Sequence, residues 1–285
     1  MDEEFEEVES PKKGSTVRKI FFIIILIIAL IVIYSRYIGT TGLQLKEYKI
    51  ENNVIDESYN GFKIVQFSDF HYGRTTGIEE LKNLVKKINL TKPDIIFFTG
   101  DLIDKDYSYS DEDITKISTE LAKLKCDYGK YYVTGNHDLN TNYDNIMQGA
   151  KFVSLNDRYE TITNKNNQTI LIAGINYKST GEYLEELFKN ELPLYKVLIM
   201  HTPDTFEKIE QYKFNLVLAG HSHNGQINIP VIGTFYTPEG AKKYYKEYYK
   251  KDNTDFYISS GIGTSHYNYR LFNRPSFNLY RLNKK

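Results

Sequence analysis

The chain has 285 residues, of which 41% are hydrophobic and 26% are charged, the composition of an ordinary globular protein. Removing the six acids of residues 2–9 and the four bases of residues 11–19 leaves 32 bases against 31 acids, so the basic excess that is typical of nucleic-acid-binding proteins is missing. The single cysteine, Cys126, excludes an intrachain disulfide, and the absence of any motif around it favours an inert packing role.

The N-terminal segment predicts a membrane anchor. Ile20–Tyr34 is an unbroken apolar run that continues less strictly to Ile38, so residues 20–38 are predicted to span the bilayer, with 1–19 a charged cytoplasmic tail and 39–44 a linker. A cleaved signal peptide is the competing interpretation, but no small-residue cleavage site follows the run. By the positive-inside rule the N-terminus lies in the cytoplasm and the domain outside, because bases are slightly more frequent before the span than after it: Lys12, Lys13, Arg18 and Lys19 against Arg36, Lys46 and Lys49.

Residues 45–285 are predicted to form one domain. Strands and helices alternate in its first part and strands dominate later, which favours two packed sheets with helices outside. The predicted helices are 78–88, 114–125, 183–188 and 203–212; the predicted strands are 45–50, 62–67, 94–99, 130–134, 170–175, 196–200, 215–219, 226–230, 256–260 and 277–282. The tyrosine- and lysine-rich segment Ala241–Lys251 predicts a helix or hairpin that packs its tyrosines on the domain; the alternative is a surface that contacts lipid headgroups.

Five of the six histidines belong to short motifs that each follow a predicted strand. In open α/β sheets, ligands bind at the carboxyl ends of the strands, so the motifs are expected to meet at one site. Oxygen donors mixed with imidazoles and without thiolates suit Mn, Fe or Zn in a hydrolytic centre. The motifs are Asp69-Phe70-His71, Gly100-Asp101-Leu102-Ile103-Asp104, Gly135-Asn136-His137-Asp138, His201 and Gly220-His221-Ser222-His223.

The motifs predict a site for two divalent cations. Such a site needs a bridging carboxylate, and Asp101 is the natural bridge because it follows a glycine at a strand end. Residues spaced two apart lie on the same side of an extended chain, so both members of each such pair can reach one cation. The other predicted ligands are Asp69, His71, Asn136, His201, His221 and His223.

His137 is adjacent to Asn136 but points elsewhere, so it is predicted to be a general acid and not a ligand. Asp104 is available to orient and charge it. Each motif alone is a weak signal, whereas coincidence is a poor explanation for all of them together. His266, the sixth histidine, matches no motif and is predicted to lie in an exposed loop.

In this order the motifs resemble those of the calcineurin-like metallophosphoesterases, from about Lys63 to Gln226. The anchor, Gly261–Ser265 and Arg270–Pro275 resemble a membrane-anchored bacterial subgroup related to UDP-2,3-diacylglucosamine hydrolases. The chain departs from the family at Asn224, where a glycine is frequent, and at Lys105, where some members have a phosphate-binding arginine.

The resemblance implies an α/β fold, a four-layer αββα sandwich preceded by one transmembrane helix. It implies one metal held by Asp69, His71, Asp101 and His223, and a second held by Asp101, Asn136, His201 and His221. A bridging hydroxide would attack phosphorus in line while His137 assists the leaving group.

The sequence therefore predicts a membrane-anchored phosphoester hydrolase with a two-metal site. The expected activity is that of a phosphodiesterase or pyrophosphatase acting near the membrane on a lipid-linked or cell-envelope phosphate. One alternative is a nuclease of the same superfamily, and another is a catalytically silent, metal-bound membrane module. No residue is predicted to bind the substrate.

Overall fold

The computed structural model describes residues 13–139, 142–189 and 194–285, so most of the predicted charged tail lies outside the described residues. Helix α1 (Lys13–Ile33) continues into a π-helical turn, Tyr34–Ile38. In the described part of the chain, Thr16–Ile38 is the one helix long and apolar enough to cross a membrane, with a mean hydropathy of 2.8 and an exposed apolar stretch. Its 23 residues extend roughly 35 Å, more than the ~30 Å hydrocarbon core.

The domain that follows contains short helices and two main sheets. Its helices are α2 (Ile78–Thr91), α3 (Asp111–Ala122), α4 (Tyr143–Gly149), α5 (Tyr183–Leu187) and α6 (Phe206–Ile209). Its strands are β1 (Gln44–Asn52), β2 (Lys63–Phe67), β3 (Ile95–Phe98), β4 (Lys130–Tyr132), β5 (Val153–Ser154), β6 (Arg158–Thr163), β7 (Thr169–Ile175), β8 (Tyr195–Met200), β9 (Leu216–Ala219), β10 (Asn228–Ile229), β11 (Gly233–Thr234), β12 (Tyr248–Lys251), β13 (Thr254–Ile258) and β14 (Ser276–Lys284).

Each main sheet has six strands. The first has the order β1-β14-β2-β3-β4-β5, in which β2 to β5 are parallel. The second has the order β12-β13-β9-β8-β7-β6, in which β13, β9, β8 and β7 are parallel. The parallel strands at the centre of each sheet end at a common edge, and all five predicted motifs follow such strands.

Three apolar layers hold the sandwich together. Strand β3 is apolar throughout because both of its faces are buried. Ile96 and Phe98 face the helices α2 to α4, whereas Ile95 and Phe97 face the second sheet. A strand buried on both faces reads as a continuous apolar run. The outer face of the second sheet packs against α5 and α6 through residues such as Leu184. The helix–sheet–sheet–helix order is the predicted αββα sandwich.

The segment 203–212 differs from its prediction, and the segment 241–251 decides between two predicted alternatives. The helix predicted for residues 203–212 is broken into the 3₁₀ turn Pro203–Thr205, the single α-helical turn α6 and a second 3₁₀ turn, Glu210–Tyr212. Residues 241–251 form turns followed by β12, which pairs with β13, so the hairpin alternative is correct there and the helical one is wrong. Tyr244 is buried in this segment with its ring 5.6 Å from that of Phe206, which confirms its packing role.

Candidate metal centre

The five motifs meet at the carboxyl edge of the two sheets. Asp69, Asp101 and His137 follow β2, β3 and β4 of the first sheet. His201 and His221 follow β8 and β9 of the second sheet and approach from the opposite side. All the predicted imidazole and carboxylate ligands are buried, as are His137 and Asp104.

The backbone at the site is unusual. Five predicted ligands have a positive φ, which is uncommon for residues other than glycine: Asp69 (52°), His71 (48°), Asp101 (61°), His221 (68°) and His223 (49°). Such conformations cost free energy and persist only where the surroundings enforce them, and they cluster at functional sites. The loops also approach closely, since a Cβ on Gly135 would lie 2.2 Å from Asp101 Oδ1.

Asp69, His71 and His223 form the first cluster of donors. The Nε2 atoms of the two histidines face each other at 3.1 Å, and Asp69 Oδ1 lies 3.6 Å from His223 Nε2. These three donors converge on one point in the buried cleft. The first predicted metal position therefore has its donors in place.

The second cluster is built around His201. Its Nε2 lies 3.0 Å from Asn136 Oδ1, 3.1 Å from His221 Nδ1 and 3.3 Å from Asp101 Oδ2. The same Asp101 oxygen lies 3.7 Å from His71 Nε2 of the first cluster. One carboxylate oxygen is thus within reach of both groups of donors.

Hydrogen bonds on the far sides of two rings indicate that a cation fits the second cluster. His201 Nδ1 donates to the carbonyl oxygen of Thr99 and His221 Nε2 to that of Glu239, both at 2.7 Å. A neutral imidazole carries one proton, so the inner nitrogens of both rings then present lone pairs to each other at 3.1 Å. Two facing lone pairs repel unless a proton or a metal ion lies between them. Backbone carbonyls that fix the tautomer of a histidine are typical of metal sites.

The electrostatics of the cluster agree with this geometry. Burial lowers the pKa of His201, but the charges of Asp101 and Asp69 outweigh it and raise the value to about 9. Burial disfavours the ionised form of Asp101, yet His201 and His71 hold its pKa well below the usual range. Burial lowers the pKa of His221 to about 4. The two carboxylates therefore favour positive charge at His201, as they would favour a cation beside it.

The surroundings of His137 bear on the predicted role of Asp104. Its Nδ1 accepts a hydrogen bond from the Lys105 backbone N–H at 3.1 Å, so the neutral ring carries its proton on Nε2. Asp104 Oδ2 lies 3.6 Å from that acceptor nitrogen but 3.3 Å from His71 Nδ1. Because the neutral ring of His137 has no Nδ1 proton to donate, Asp104 is better placed to orient His71. Burial lowers the pKa of His137 to about 4, so this ring is neutral near pH 7.

Asp138 is quoted in the third motif, but the sequence assigned it no role. Its buried carboxylate accepts hydrogen bonds from the N–H groups of Asp101, Leu102 and Gly135 at 2.8 to 2.9 Å. It therefore joins the loop after β3 to the loop after β4. Burial and the neighbouring Asp101 charge raise the pKa of Asp138 to about 7.

Sequence reasoning missed Arg74 at the mouth of the cleft and noted Lys105 there only as a departure from the family. Arg74 and Lys105 line it together with His137, and both bring positive charge to it. His266 is exposed, as predicted, but it also lines the cleft and stacks on Tyr236 at 5.0 Å with an interplanar angle of 10°. The one feature of the sequence that pointed to Arg74 is its position, since it is a basic residue three positions after the predicted ligand His71.

Comparison with known proteins identifies the family. The family model "Calcineurin-like phosphoesterase" matches residues 62–225. The chain belongs to this family. It is 32% identical over 255 residues to the "Uncharacterized metallophosphoesterase YkuE" of Bacillus subtilis, covering 87% of this chain and 88% of that protein. It is 26% identical to "Phosphodiesterase YaeI" of Escherichia coli, covering 78% and 82%.

A third relative is itself a membrane protein. The "Transmembrane protein with metallophosphoesterase domain" of Danio rerio is 26% identical over 222 residues, which cover 71% of this chain but only 49% of that protein. Together with the apolar helix Thr16–Ile38, this relative supports a membrane-anchored protein. The chain is a phosphoric ester hydrolase of a family that uses divalent metal ions, which confirms the predicted family, fold and enzyme class. The diacylglucosamine subgroup stays a prediction.

Proposed function

We propose that the site binds two divalent cations that share the carboxylate of Asp101. Its Oδ2 atom lies within 3.7 Å of donor nitrogens in both clusters. The first cation would be held by Asp69, His71 and His223, and the second by Asn136, His201 and His221. The observation that carries the proposal is the pair of facing nitrogens on His201 and His221, because two neutral rings can hold that arrangement only with a proton or a metal ion between them. The donor set suits Mn, Fe or Zn.

The chain's own residues would supply the rest of the chemistry. When bound, the two ions would lower the pKa of a water nucleophile and neutralise charge on the phosphoryl group. His137 lines the cleft and would act as a general acid through Nε2; because its ring is neutral near pH 7, it must first take up a proton, and the imidazolium would then protonate the leaving oxygen and return to the neutral ring. Arg74 and Lys105 at the mouth would attract the anionic substrate. Asp104, whose Oδ2 lies 3.3 Å from His71 Nδ1 and 3.6 Å from His137 Nδ1, would act on both rings through its charge.

We further propose a phosphodiesterase or pyrophosphatase that acts at the outer surface of the cell membrane on a lipid-linked or envelope phosphate. The anchor supports this location, since β1 begins only six residues after the helical segment ends. The small excess of bases before the span supports a cytoplasmic N-terminus. YaeI, a relative named as a phosphodiesterase, supports the reaction class.

The test of the metal site compares three proteins purified as full chains in detergent. Asp101→Asn removes the shared charge, whereas Asp106→Asn removes a carboxylate that lines the same cleft outside both clusters. Metal content by mass spectrometry and hydrolysis of aryl phosphodiesters are measured for each. We expect about two ions per chain in the wild type and in Asp106→Asn, and loss of metal and activity in Asp101→Asn. Full activity in Asp101→Asn would reject the shared carboxylate.

The test of location and substrate uses intact cells and vesicles. Protease added outside spheroplasts should remove the domain; protection until lysis would reverse the orientation. Reconstituted full chain should then hydrolyse a lipid-linked diphosphate with a higher kcat/KM than its short-chain soluble analogue. Equal values for the two substrates would exclude the lipid-linked preference and leave the phosphoesterase activity itself unaffected.

A further inference from the structure

A hairpin beside the cleft exposes apolar side chains. Strands β10 and β11 pair at Ile229 and Gly233, and their loop is Pro230–Ile232. Val231 is 107% exposed, Ile232 71% and Phe235 70%. The whole segment from Gln226 to Pro238 contains no charged residue, in a chain where 26% of residues are charged. A contiguous exposed apolar patch of this kind marks an interaction surface.

The tip of the hairpin is also conformationally costly. Val231 has a φ of 73°, a left-handed conformation that glycine and asparagine adopt readily and β-branched residues rarely do. Its side chain gains nothing from the domain in return, because it is fully exposed. A strained residue that packs on nothing within its own domain points to a contact outside it.

Hydrogen bonds connect this hairpin to the end of the membrane helix. The carbonyl oxygen of Ser35 accepts from the Arg270 backbone N–H at 2.9 Å. The next residue, Leu271, donates to Gln226 at 3.1 Å and accepts from the Asn228 N–H at 3.0 Å. The loop 270–272 therefore lies between the anchor and the hairpin, and its Phe272 is 68% exposed.

The same contacts limit how far the hairpin tip can lie from the membrane. Three residues separate Asn228 from Val231, which adds roughly 10 Å at ~3.3 Å per residue. Val231 is then within roughly 25 Å of the end of the membrane helix, even for a fully extended path. With the apolar helix across a bilayer, that end would lie at the bilayer surface, and the tip would be within reach of the leaflet from which the anchor emerges.

We propose that residues 226–238, together with Phe272, form a lip that inserts its apolar tip into the bilayer next to the anchor. The lack of charge in the segment fits a hydrocarbon boundary, where a buried charge is strongly disfavoured. A basic residue lies behind the tip, where headgroups would be: the Lys242 ammonium is 5.6 Å from the ring centre of Tyr236. This surface goes beyond the anchor and needs neither bound metal nor any particular substrate.

The lip has a consequence for access to the cleft. Tyr236 belongs to the segment and, with His266, lines both the apolar pocket beneath the hairpin and the mouth of the metal cleft. An inserted tip would turn this mouth toward the membrane. Molecules held in the bilayer would then reach the cleft along an apolar wall that ends at His221 and His223.

The test places a fluorescent label on the lip of the full chain. In a Cys126→Ala background, Ile232→Cys and Phe235→Cys are each labelled with an environment-sensitive nitrobenzoxadiazole dye. Leu90→Cys is the matched control, since Leu90 is 73% exposed but lies at the end of α2, just before β3 and hence at the opposite edge of the sheet. The proteins are reconstituted into phosphatidylglycerol and phosphatidylethanolamine vesicles with or without brominated acyl chains.

We expect blue-shifted emission at positions 232 and 235 that brominated lipid quenches, and solvent-like, unquenched emission at position 90. Solvent-like emission at both lip positions would overturn the proposal. Blue-shifted emission that brominated lipid does not quench would also overturn it, because the lip would then be covered by protein, such as a second copy of the chain. As a second measurement, Val231→Asn with Ile232→Gln should reduce protection of residue 235 from a charged maleimide in vesicles. Unchanged protection would contradict insertion.

Discussion

Removing the carboxylate of Asp138 should destabilise the protein and inactivate it, although Asp138 donates no atom to either donor cluster. The side chain is 4% exposed and accepts three backbone N–H groups, from Asp101, Leu102 and Gly135. Alanine at this position would leave all three donors without that acceptor, inside a region where few waters can replace it.

The size of the effect follows from the bonds lost. A buried donor left unsatisfied costs about 1–3 kcal/mol, so Asp138→Ala should lower the free energy of unfolding by at least ~3 kcal/mol. Asp138→Asn should cost less, about 1–3 kcal/mol, because its amide oxygen can keep the two bonds of Oδ2, to Asp101 and Gly135. In Asp138→Asn only the hydrogen bond from the Leu102 N–H is lost, because that N–H then faces the NH₂ group of the asparagine, which is also a donor. Total stabilities are typically 5–15 kcal/mol, so the alanine variant loses a large share.

The activity should fall with the same ranking. Asp138 fixes the loop of Asp101 against that of Gly135, and a displacement of about 1 Å in a catalytic group can cost about 10²-fold in rate. Urea unfolding in detergent and phosphodiester hydrolysis are measured for both variants and for Asp106→Ala, which removes an exposed carboxylate from the same cleft. Wild-type unfolding of Asp138→Ala would refute the role of the three hydrogen bonds. Equal losses in both variants would assign the effect to charge alone.

Four further predictions concern the centre itself. His137→Ala should keep its metal but lose about 10²–10⁴-fold in kcat, and least with leaving groups that need no proton; metal loss in that variant would show that His137 is a ligand. A cation that binds His201 must displace its proton, because the pKa of His201 is about 9. Metal affinity should therefore rise about tenfold per pH unit up to that pH. Calorimetry of metal binding in two buffers of different ionisation enthalpy measures the released proton. In the protein without metal, the free energy of unfolding changes with pH in the opposite direction to metal affinity. The stabilising contribution of protonated His201 is complete below pH 6.5 and is lost as the pH rises through 9. Gly135→Ala should lose metal at unchanged secondary structure, since its methyl group would lie 2.2 Å from Asp101 Oδ1; retained metal would refute that contact.

The convergence of the five motifs could be predicted because it depends on topology. Each motif follows an apolar strand, and parallel strands end at one edge, so Asp69 and His221 meet although 152 residues separate them. Which side chain each group at the site contacts could not be predicted in the same way. Whether Asp104 serves His137 or His71 depends on one backbone N–H, that of Lys105, whose direction no residue pattern specifies.

The short helical turns, and the residues that support the site from distant parts of the chain, also could not be predicted from the sequence. The segment 203–212 has helical periodicity, but only four of its residues are α-helical. Asp204 in its first turn accepts backbone N–H groups of Lys242, Lys243 and Tyr244, a tertiary contact that periodicity does not report. Arg270 lies 47 residues after His223 and follows no motif strand, so the sequence associated it with the subgroup resemblance but not with the metal site.

Arg270 nevertheless connects the anchor with the metal centre. Its backbone N–H donates to Ser35 at the end of the membrane helix, and a Cβ on Gly39 would lie 1.9 Å from its carbonyl oxygen. Its buried guanidinium donates to Gly263 and lies 3.2 Å from His223 Nδ1. A flexible tether would make no such contacts, because it would leave the domain free to rotate. One residue therefore contacts both the end of the apolar helix and a predicted ligand, and a fragment that begins at β1 would lose Ser35 and Gly39 and with them one side of this support.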